Sequence, residues 1–198
     1  QETDQFRHFV RRAGAAHGSV GPAGDLAFGA GAGDHPARSH RLAAPALFTA
    51  IDHHTIQLVA RLLYGTGMRL MEGLRLRVKD IDFSRNEILI RDGKGSKDRV
   101  TLLPQSLKAD LQQQIQCALQ WHQQDLDAGL GHVWLPYALA RKYPQAPVEP
   151  GWQYVFPADH LSVDPVSKQE GRHHIDSQRV QRIIKQSARQ AGIHKNVT

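Results

Sequence analysis

A glycine turn followed by an arginine and a glutamate is the first group of residues in this sequence that could form a chemical site. Gly65 and Gly67 let the chain bend sharply, and Arg69 and Glu72 follow at the start of a short predicted helix. A guanidinium there can bind two oxygens of a phosphate, beside main-chain N–H groups that also favour an anion. Glu72, one turn further on, could hold the arginine in place. The alternative is an ordinary helix start with a solvated ion pair.

A lysine in a predicted hairpin loop is the second candidate. Lys94 lies between Gly93 and Gly95, so little side-chain bulk would block the approach of a ligand, and Lys97 and Arg99 follow. An ammonium group at such a tip could donate a proton to a leaving oxygen. The alternative is a hairpin tip whose charges only increase solubility.

The elements that must position these residues predict an α+β fold. Apolar residues at three- and four-residue steps predict a helix from Pro45 to the glycine turn, then helices over residues 70–76, 106–129 and 177–191, the last capped by Asp176. Alternating patterns predict three short antiparallel strands near 81–83, 87–91 and 99–103. We therefore expect a mostly helical protein with a small three-stranded antiparallel sheet.

Two stretches depart from this pattern. Residues 1–45 are rich in Gly and Ala and are predicted to be a disordered or aberrant N-terminal segment, apart from a short helix over 5–12. Residues 129–174 are irregular, with a short helix expected over 135–142 and an extended piece over 152–156. This second stretch is rich in aromatic residues: Trp134, Tyr137, Tyr143, Trp152, Tyr154 and Phe156.

Composition narrows the class of protein. The chain has 198 residues and a net charge of +6, and its pI of about 9.7 favours a polyanionic partner such as nucleic acid. No apolar run approaches the roughly 20 residues that span a bilayer. The single cysteine, Cys117, excludes an internal disulfide and a cysteine-cluster zinc site. No signal-peptide pattern opens the chain, so a cytoplasmic location is predicted.

The ordered motifs together resemble the tyrosine recombinase (phage integrase) family. The resemblance begins with YGTGMRLMEGL (residues 64–74) and continues through a D-I-D strand start to the GKGSKDR hairpin before Pro104. A second block resembles the insertion of integron integrases: LPYALARKYP (135–144), GWQYVFP (151–157) and RHH (172–174). Residues 46–198 would then be a partial recombinase catalytic domain, with the insertion at about 129–174.

The resemblance implies a reaction and a set of roles. The family cuts one DNA strand with a tyrosine, forms a 3′-phosphotyrosine and a free 5′-hydroxyl, and needs neither a metal nor another cofactor. Arg69 matches the arginine that clamps the scissile phosphate, and Glu72 matches the acidic residue that supports it. Lys94 matches the lysine that protonates the leaving 5′ oxygen. Lys97 and Arg99 are expected to contact DNA.

The sequence also departs from the family pattern. The family's His-x-x-Arg box and its tyrosine nucleophile should follow the helix that ends near Gly192, whereas the sequence reaches its last residue at Thr198. None of Tyr64, Tyr137, Tyr143 and Tyr154 has the context of the nucleophile. The expectation is a chain truncated before these elements, which does not cleave DNA alone. The tetramer that the family forms on DNA is then not expected to be stable.

The insertion implies a particular DNA substrate. Integron integrases bind folded single-stranded hairpins and hold bases that protrude from the stem, and Trp152, Pro165, His173 and His174 match that pocket. Tyr154 and Phe156 are expected to pack the insertion onto the core instead. Adjacent histidines seldom converge on one ion, so no metal site is predicted at His53-His54 or His173-His174.

The function predicted from the sequence is site-specific DNA recombination of the integron type, the integration and excision of gene cassettes. The predicted location is the bacterial cytoplasm, in association with the nucleoid. Two alternatives stay open: a non-catalytic remnant that binds DNA hairpins, and a fragment without function.

Overall fold

The computed structural model describes residues 44–91, 98–135, 137–164 and 168–193. The predictions for the N-terminal segment therefore lie almost entirely outside the described residues, as do Lys94, Lys97 and Pro165. Within the described ranges, no helix combines the length and the apolar character needed to cross a membrane.

The predicted first helix is in fact two helices. Helix α1 covers residues 44–50 and α2 covers His54–Thr66, with an extended His53 before α2 (φ −87°, ψ 104°). The side-chain amide of Gln57 donates to the Phe48 carbonyl at 2.7 Å, which satisfies an acceptor at the end of α1. Ile51 lies at the corner and is 2% exposed, so the apolar spacing continues through the break and conceals it.

Helix α3 and the three-stranded sheet follow the glycine turn. Helix α3 covers Leu70–Leu74, shorter than predicted, because the Leu76 carbonyl accepts the Val155 N–H at 2.9 Å and the chain turns into an extended conformation. A 3₁₀ turn over Val78–Asp80 leads into strands β1 (Ile81–Asp82), β2 (Glu87–Ile90) and β3 (Arg99–Leu102). The strands are antiparallel in the order β1-β2-β3, which confirms the predicted sheet and the α+β class.

The core forms where the long helices pack against one face of the sheet. A 3₁₀ turn over Gln105–Leu107 precedes α4 (Lys108–Asp127), and the predicted final helix is α6 (Ser177–Gln190). The Asp176 carboxylate accepts the N–H groups of Gln178 and Arg179 at 3.2 and 3.1 Å, which confirms the predicted cap. Apolar side chains from α2, α3, β2, α4 and α6 fill this core: Ile56, Leu62, Leu63, Leu74, Ile88, Ile90, Leu111, Val180 and Ile184.

Residues 129–174 are joined to this core by main-chain hydrogen bonds. The segment contains α5 (Tyr137–Lys142) and 3₁₀ turns over Ala146–Val148 and Pro150–Trp152. It also contains an unpredicted hairpin of β4 (Ser162–Val163) and β5 (Glu170–Gly171). Its extended part is bonded on both sides. The Val78 N–H donates to the Gln153 carbonyl at 3.0 Å, and the Ala158 N–H donates to the His173 carbonyl at 2.7 Å. A small apolar cluster stabilises the segment: Val133, Leu135, Ala146 and Tyr154, with Trp152 against it.

Candidate functional site

Arg69 is positioned by the turn between α2 and α3. Gly67 ends α2 in the left-handed conformation (φ 66°, ψ 18°), and its N–H donates to the Leu63 carbonyl at 2.9 Å. Arg69 is extended and directly precedes α3, while its neighbours Met68 and Leu70 are buried. Helix α3 has only five residues, and the N–H of Arg69 is already bound to Glu72. The N–H of Arg69 is therefore occupied, and the guanidinium is the group of Arg69 that a phosphate could contact.

The carboxylate of Glu72 joins two arginines. It accepts the main-chain N–H of Arg69 at 2.8 Å and its guanidinium at 3.2 Å. It also accepts two hydrogen bonds from Arg99, at 2.9 and 3.3 Å. The Glu72 side chain is 7% exposed, whereas Arg69 and Arg99 are 29% and 43% exposed. One buried carboxylate thus orients two cations whose remaining N–H groups face solvent, which leaves a net positive surface suited to an oxyanion.

The predicted hairpin loop has one end at this cluster. Arg99 opens β3 opposite Ile90, the last residue of β2. Arg91, which follows β2, donates to the buried carboxylate of Asp80 at 2.6 Å. Both ends of the loop are therefore fixed by ion pairs, one of them to Glu72 itself. Lys94 and Lys97 belong to the loop between these ends, outside the described residues, and their contact with the same phosphate stays a prediction.

The predicted base-binding residues lie around Tyr154. The rings of His173 and His174 are 4.1 Å apart, and each lies 5.4 Å from the Tyr154 ring. Trp152 is half-buried and packs against the apolar cluster that includes Tyr154, and the ammonium group of Lys79 lies over its ring. Tyr154 and Phe156 are 4% and 0% exposed, as expected for packing residues. Pro165 lies outside the described residues.

Burial lowers the pKa of both histidines of this group, which favours the neutral imidazole. Burial lowers the pKa of His174 to about 4, with smaller contributions from neighbouring positive groups including Arg75. Burial and the charge of Arg77 lower the pKa of His173. The Nδ1 of His174 lies 2.8 Å from the Ile175 carbonyl, which assigns a proton to that nitrogen. These rings are therefore suited to stacking on a base rather than to pairing with a phosphate.

Protein stability is expected to fall between pH 6.5 and about 4, because unfolded His174 takes up a proton that the folded state excludes. The contribution is complete above pH 6.5 and is lost as the pH falls towards the folded pKa. His174→Gln should therefore show a smaller fall in Tm between pH 7 and 4.5. The pKa of the Asp159 carboxyl is lowered to about 2, mainly by its bond to Arg179. This carboxyl therefore affects stability only at pH values below the range in which His174 acts.

Thermal melts of the wild type, His174→Gln and the exposed control His160→Gln check this prediction. His160 has a side chain that is 75% exposed, and its variant should follow the wild type. Identical pH profiles for all three proteins would contradict the assignment of His174 as a neutral, partly buried group.

Arg77 is a positioning residue that the sequence reading missed. It is 8% exposed, and burial lowers the pKa of its guanidinium. The guanidinium donates to the carbonyl of Trp152 at 2.7 Å and to that of Trp134 at 3.0 Å. It also lies 3.7 Å from the centre of the Tyr154 ring. These partners are 57 to 77 residues away in sequence, so the local pattern around Arg77 gave no signal of them.

A partly buried ion pair between α4 and the chain before His173 was also missed. Arg172 donates to both oxygens of Asp125, at 2.7 and 2.8 Å, and to the Ala158 carbonyl at 2.8 Å. The sequence did contain a signal, because the buried residues of α4 recur in steps of four and three: Leu111, Ile115, Ala118, His122 and Asp125. The predicted apolar side, which included Leu119 and Leu126, did not include the two buried polar residues.

Comparison with known proteins identifies the family. A model described as "Phage integrase family" matches residues 43–198. An "Integrase/recombinase" of Escherichia coli is 49% identical over 142 residues, which cover 72% of this chain and 42% of that protein. "Tyrosine recombinase XerA" of Pyrococcus furiosus is 42% identical over 55 residues, which cover 28% of this chain and 19% of that protein.

A solved structure shows the same fold. The "Crystal structure of XerA recombinase" superposes with a TM-score of 0.50 at 19% identity, covering 91% of this chain and 48% of that chain. The chain spans less than half the length of the curated relatives it matches. On the match of residues 43–198, the chain belongs to the phage integrase family.

Proposed function

We propose that this chain takes part in site-specific DNA recombination of the integron integrase type. The reaction is the exchange of DNA strands through a 3′-phosphotyrosine, in which a tyrosine attacks the phosphate and the 5′ oxygen leaves with a proton. Arg69 binds the scissile phosphate, Glu72 orients Arg69 and Arg99, and Lys94 gives the proton to the leaving oxygen. We assign the nucleophile to none of Tyr64, Tyr137, Tyr143 and Tyr154.

The observation that carries this proposal is the Glu72 carboxylate between Arg69 and Arg99. Its four hydrogen bonds hold both guanidiniums before any ligand arrives, so little ordering remains when a phosphate binds. The phosphate gains negative charge in the transition state, and preoriented donors bind that charge more strongly than they bind the ground state. A solvated surface pair would instead leave the carboxylate exposed.

The integron type is supported by the character of residues 129–174. The segment presents half-buried Trp152 and two neutral imidazoles, which are groups that stack on bases. Cations border them, since Lys79 lies over the Trp152 ring and the exposed Arg75 acts electrostatically on both histidines. The proposed ligand is a folded single-stranded hairpin whose unpaired bases protrude from the stem.

A basic helix face supports DNA as the partner. Helix α6 contains no acidic residue between Ser177 and Gln190. Its exposed side carries three cations at three- and four-residue steps: Arg182, Lys185 and Arg189. Such a stripe matches the charge of a phosphate backbone and contributes binding that does not depend on base sequence.

Binding to DNA hairpins across a salt series tests this function. We expect the protein to bind a hairpin with one protruding base roughly 5- to 100-fold more tightly than the same stem fully paired, since stacking of a base on an aromatic contributes about 1–3 kcal/mol. We also expect affinity for both DNAs to fall steeply with salt. Equal affinity for the two DNAs would exclude the hairpin substrate, and binding independent of salt would exclude DNA as the partner.

A further inference from the structure

We propose that Trp134 is a second base-stacking residue, held in register with Trp152 by the guanidinium of Arg77, and that the two tryptophans take neighbouring unpaired bases of one DNA strand. This inference rests on the proposed function, because it adds a residue to the surface that binds protruding bases. Its ligand is a nucleobase, and the experiment below separates its failure from the failure of that function.

Trp134 is exposed on a fixed stretch of chain. Its side chain is 41% exposed, whereas Val133 and Leu135 on either side are 4% and 5% exposed and pack in the small apolar cluster. The N–H of Val133 donates to the Pro147 carbonyl at 2.9 Å. Two buried neighbours therefore fix the main chain and direct the indole outwards. Single exposed aromatic rings are common on protein surfaces, so it is the connection of Trp134 to Trp152 through Arg77 that points to a ligand.

Arg77 brings Trp134 beside the residue already proposed to bind a base. One terminal nitrogen of its guanidinium binds the Trp152 carbonyl at 2.7 Å, and the other binds the Trp134 carbonyl at 3.0 Å. Because the guanidinium is planar and rigid, it fixes the spacing of the two main chains. Stacking on Tyr154 fixes the guanidinium in turn. The main chains at Trp134 and Trp152 thus belong to one supported unit, although 18 residues separate them in sequence.

The charge around this unit fits a nucleic-acid strand. The ammonium group of Lys79 lies over one face of the Trp152 ring, so a base that stacks on that face displaces this group towards the DNA phosphates. Arg75 is exposed two residues from Arg77. The acidic neighbours of Lys79 are Asp80, which is buried against Arg91, and the exposed Glu149. Cations next to aromatic faces are the arrangement with which proteins hold single strands, because phosphates meet the cations while bases stack. A protein partner would not require cations beside exposed aromatic rings.

Fluorescence of 2-aminopurine, placed at each of two neighbouring unpaired positions of a hairpin, tests the proposal. We expect the wild type to quench the probe at both positions and Trp134→Ala to lose quenching at one of them. We also expect Trp134→Ala to bind this hairpin about 5- to 100-fold more weakly, within the range for loss of one stacked base. Trp134→Phe should retain most of the affinity. Tyr143→Ala, which removes another exposed aromatic of the same segment, serves as the control.

The outcomes separate the two proposals. If Trp134→Ala binds and quenches like the wild type while Trp152→Ala loses binding, the role of Trp134 is wrong and the proposed function stands. An equal loss of affinity for the fully paired stem would also overturn the role of Trp134, because it would show a contact with the backbone. If the wild type does not prefer unpaired bases, both proposals fail. Because Trp134 is exposed, its variants should melt like the wild type.

Discussion

Replacing Arg77 with alanine is expected to lower the free energy of unfolding by about 2–4 kcal/mol, since each buried acceptor left without a donor costs about 1–3 kcal/mol. The Trp134 and Trp152 carbonyls would lose their bonds to the guanidinium, and Tyr154 would lose the cation over its ring. Urea denaturation followed by tryptophan fluorescence measures the change. Attachment of residues 129–174 depends on these bonds, so the hairpin affinity should fall as well.

Arg75→Ala is the matched control for this prediction. Arg75 is also an arginine, lies two residues away and is exposed, so its replacement should change stability by less than about 0.5 kcal/mol. Arg77→Lys keeps the charge but cannot donate to both carbonyls in the geometry of the planar guanidinium. Its stability should lie between those of the wild type and the alanine variant. If Arg77→Ala and Arg75→Ala unfold at the same urea concentration, Arg77 does not hold the segment in place.

Arg69→Ala is expected to weaken DNA binding roughly 10- to 100-fold, because hydrogen bonds to a charged group contribute about 1.5–3 kcal/mol. The slope of log affinity against log salt should fall by about 1 when one phosphate contact is lost. Stability should change little, since Glu72 keeps its bonds to Arg99 and to the main-chain N–H of residue 69. Fluorescence anisotropy with a labelled hairpin measures affinity and slope together.

Two variants make the Arg69 result specific. Arg69→Lys should recover only part of the affinity, because an ammonium group cannot bind two phosphate oxygens in one plane. Arg85→Ala removes an arginine whose side chain is 75% exposed in the turn before β2, and it should bind DNA like the wild type. An Arg69→Ala protein with unchanged affinity and unchanged salt slope would remove Arg69 from the phosphate site.

The parts of the fold that local chemistry determines were predictable from the sequence. Alternation of apolar residues predicted all three strands of the sheet, and Asp176 marked the start of α6 correctly. The hairpin of β4 and β5 was missed because its strands have two residues each and Val163 is 59% exposed, so no alternation reveals them. The break before α2 was missed because Ile51 keeps the helical spacing while the chain turns.

The contacts of the candidate site were also predictable from the sequence only where they are local. Arg69 and Glu72 are three residues apart, so their contact follows from helical geometry. The bonds from Arg99 to Glu72 join residues 27 apart and depend on the register of β3 against β2, which no short motif encodes. The burial of Arg77 and Asp125 was the hardest feature to predict from the sequence. Charged residues are usually exposed, and the partners that allow these two to be buried are brought together only by the fold.

We propose that Arg69 and Lys94 act on the same phosphate. A set of hairpins, each with one phosphate replaced by a neutral methylphosphonate, tests it through the affinities of the wild type, Arg69→Ala and Lys94→Ala. We expect one position at which the replacement weakens binding by the wild type but leaves both variants unaffected. If the two variants become insensitive at different positions, or remain as sensitive as the wild type at every position, the two side chains do not converge on one phosphodiester.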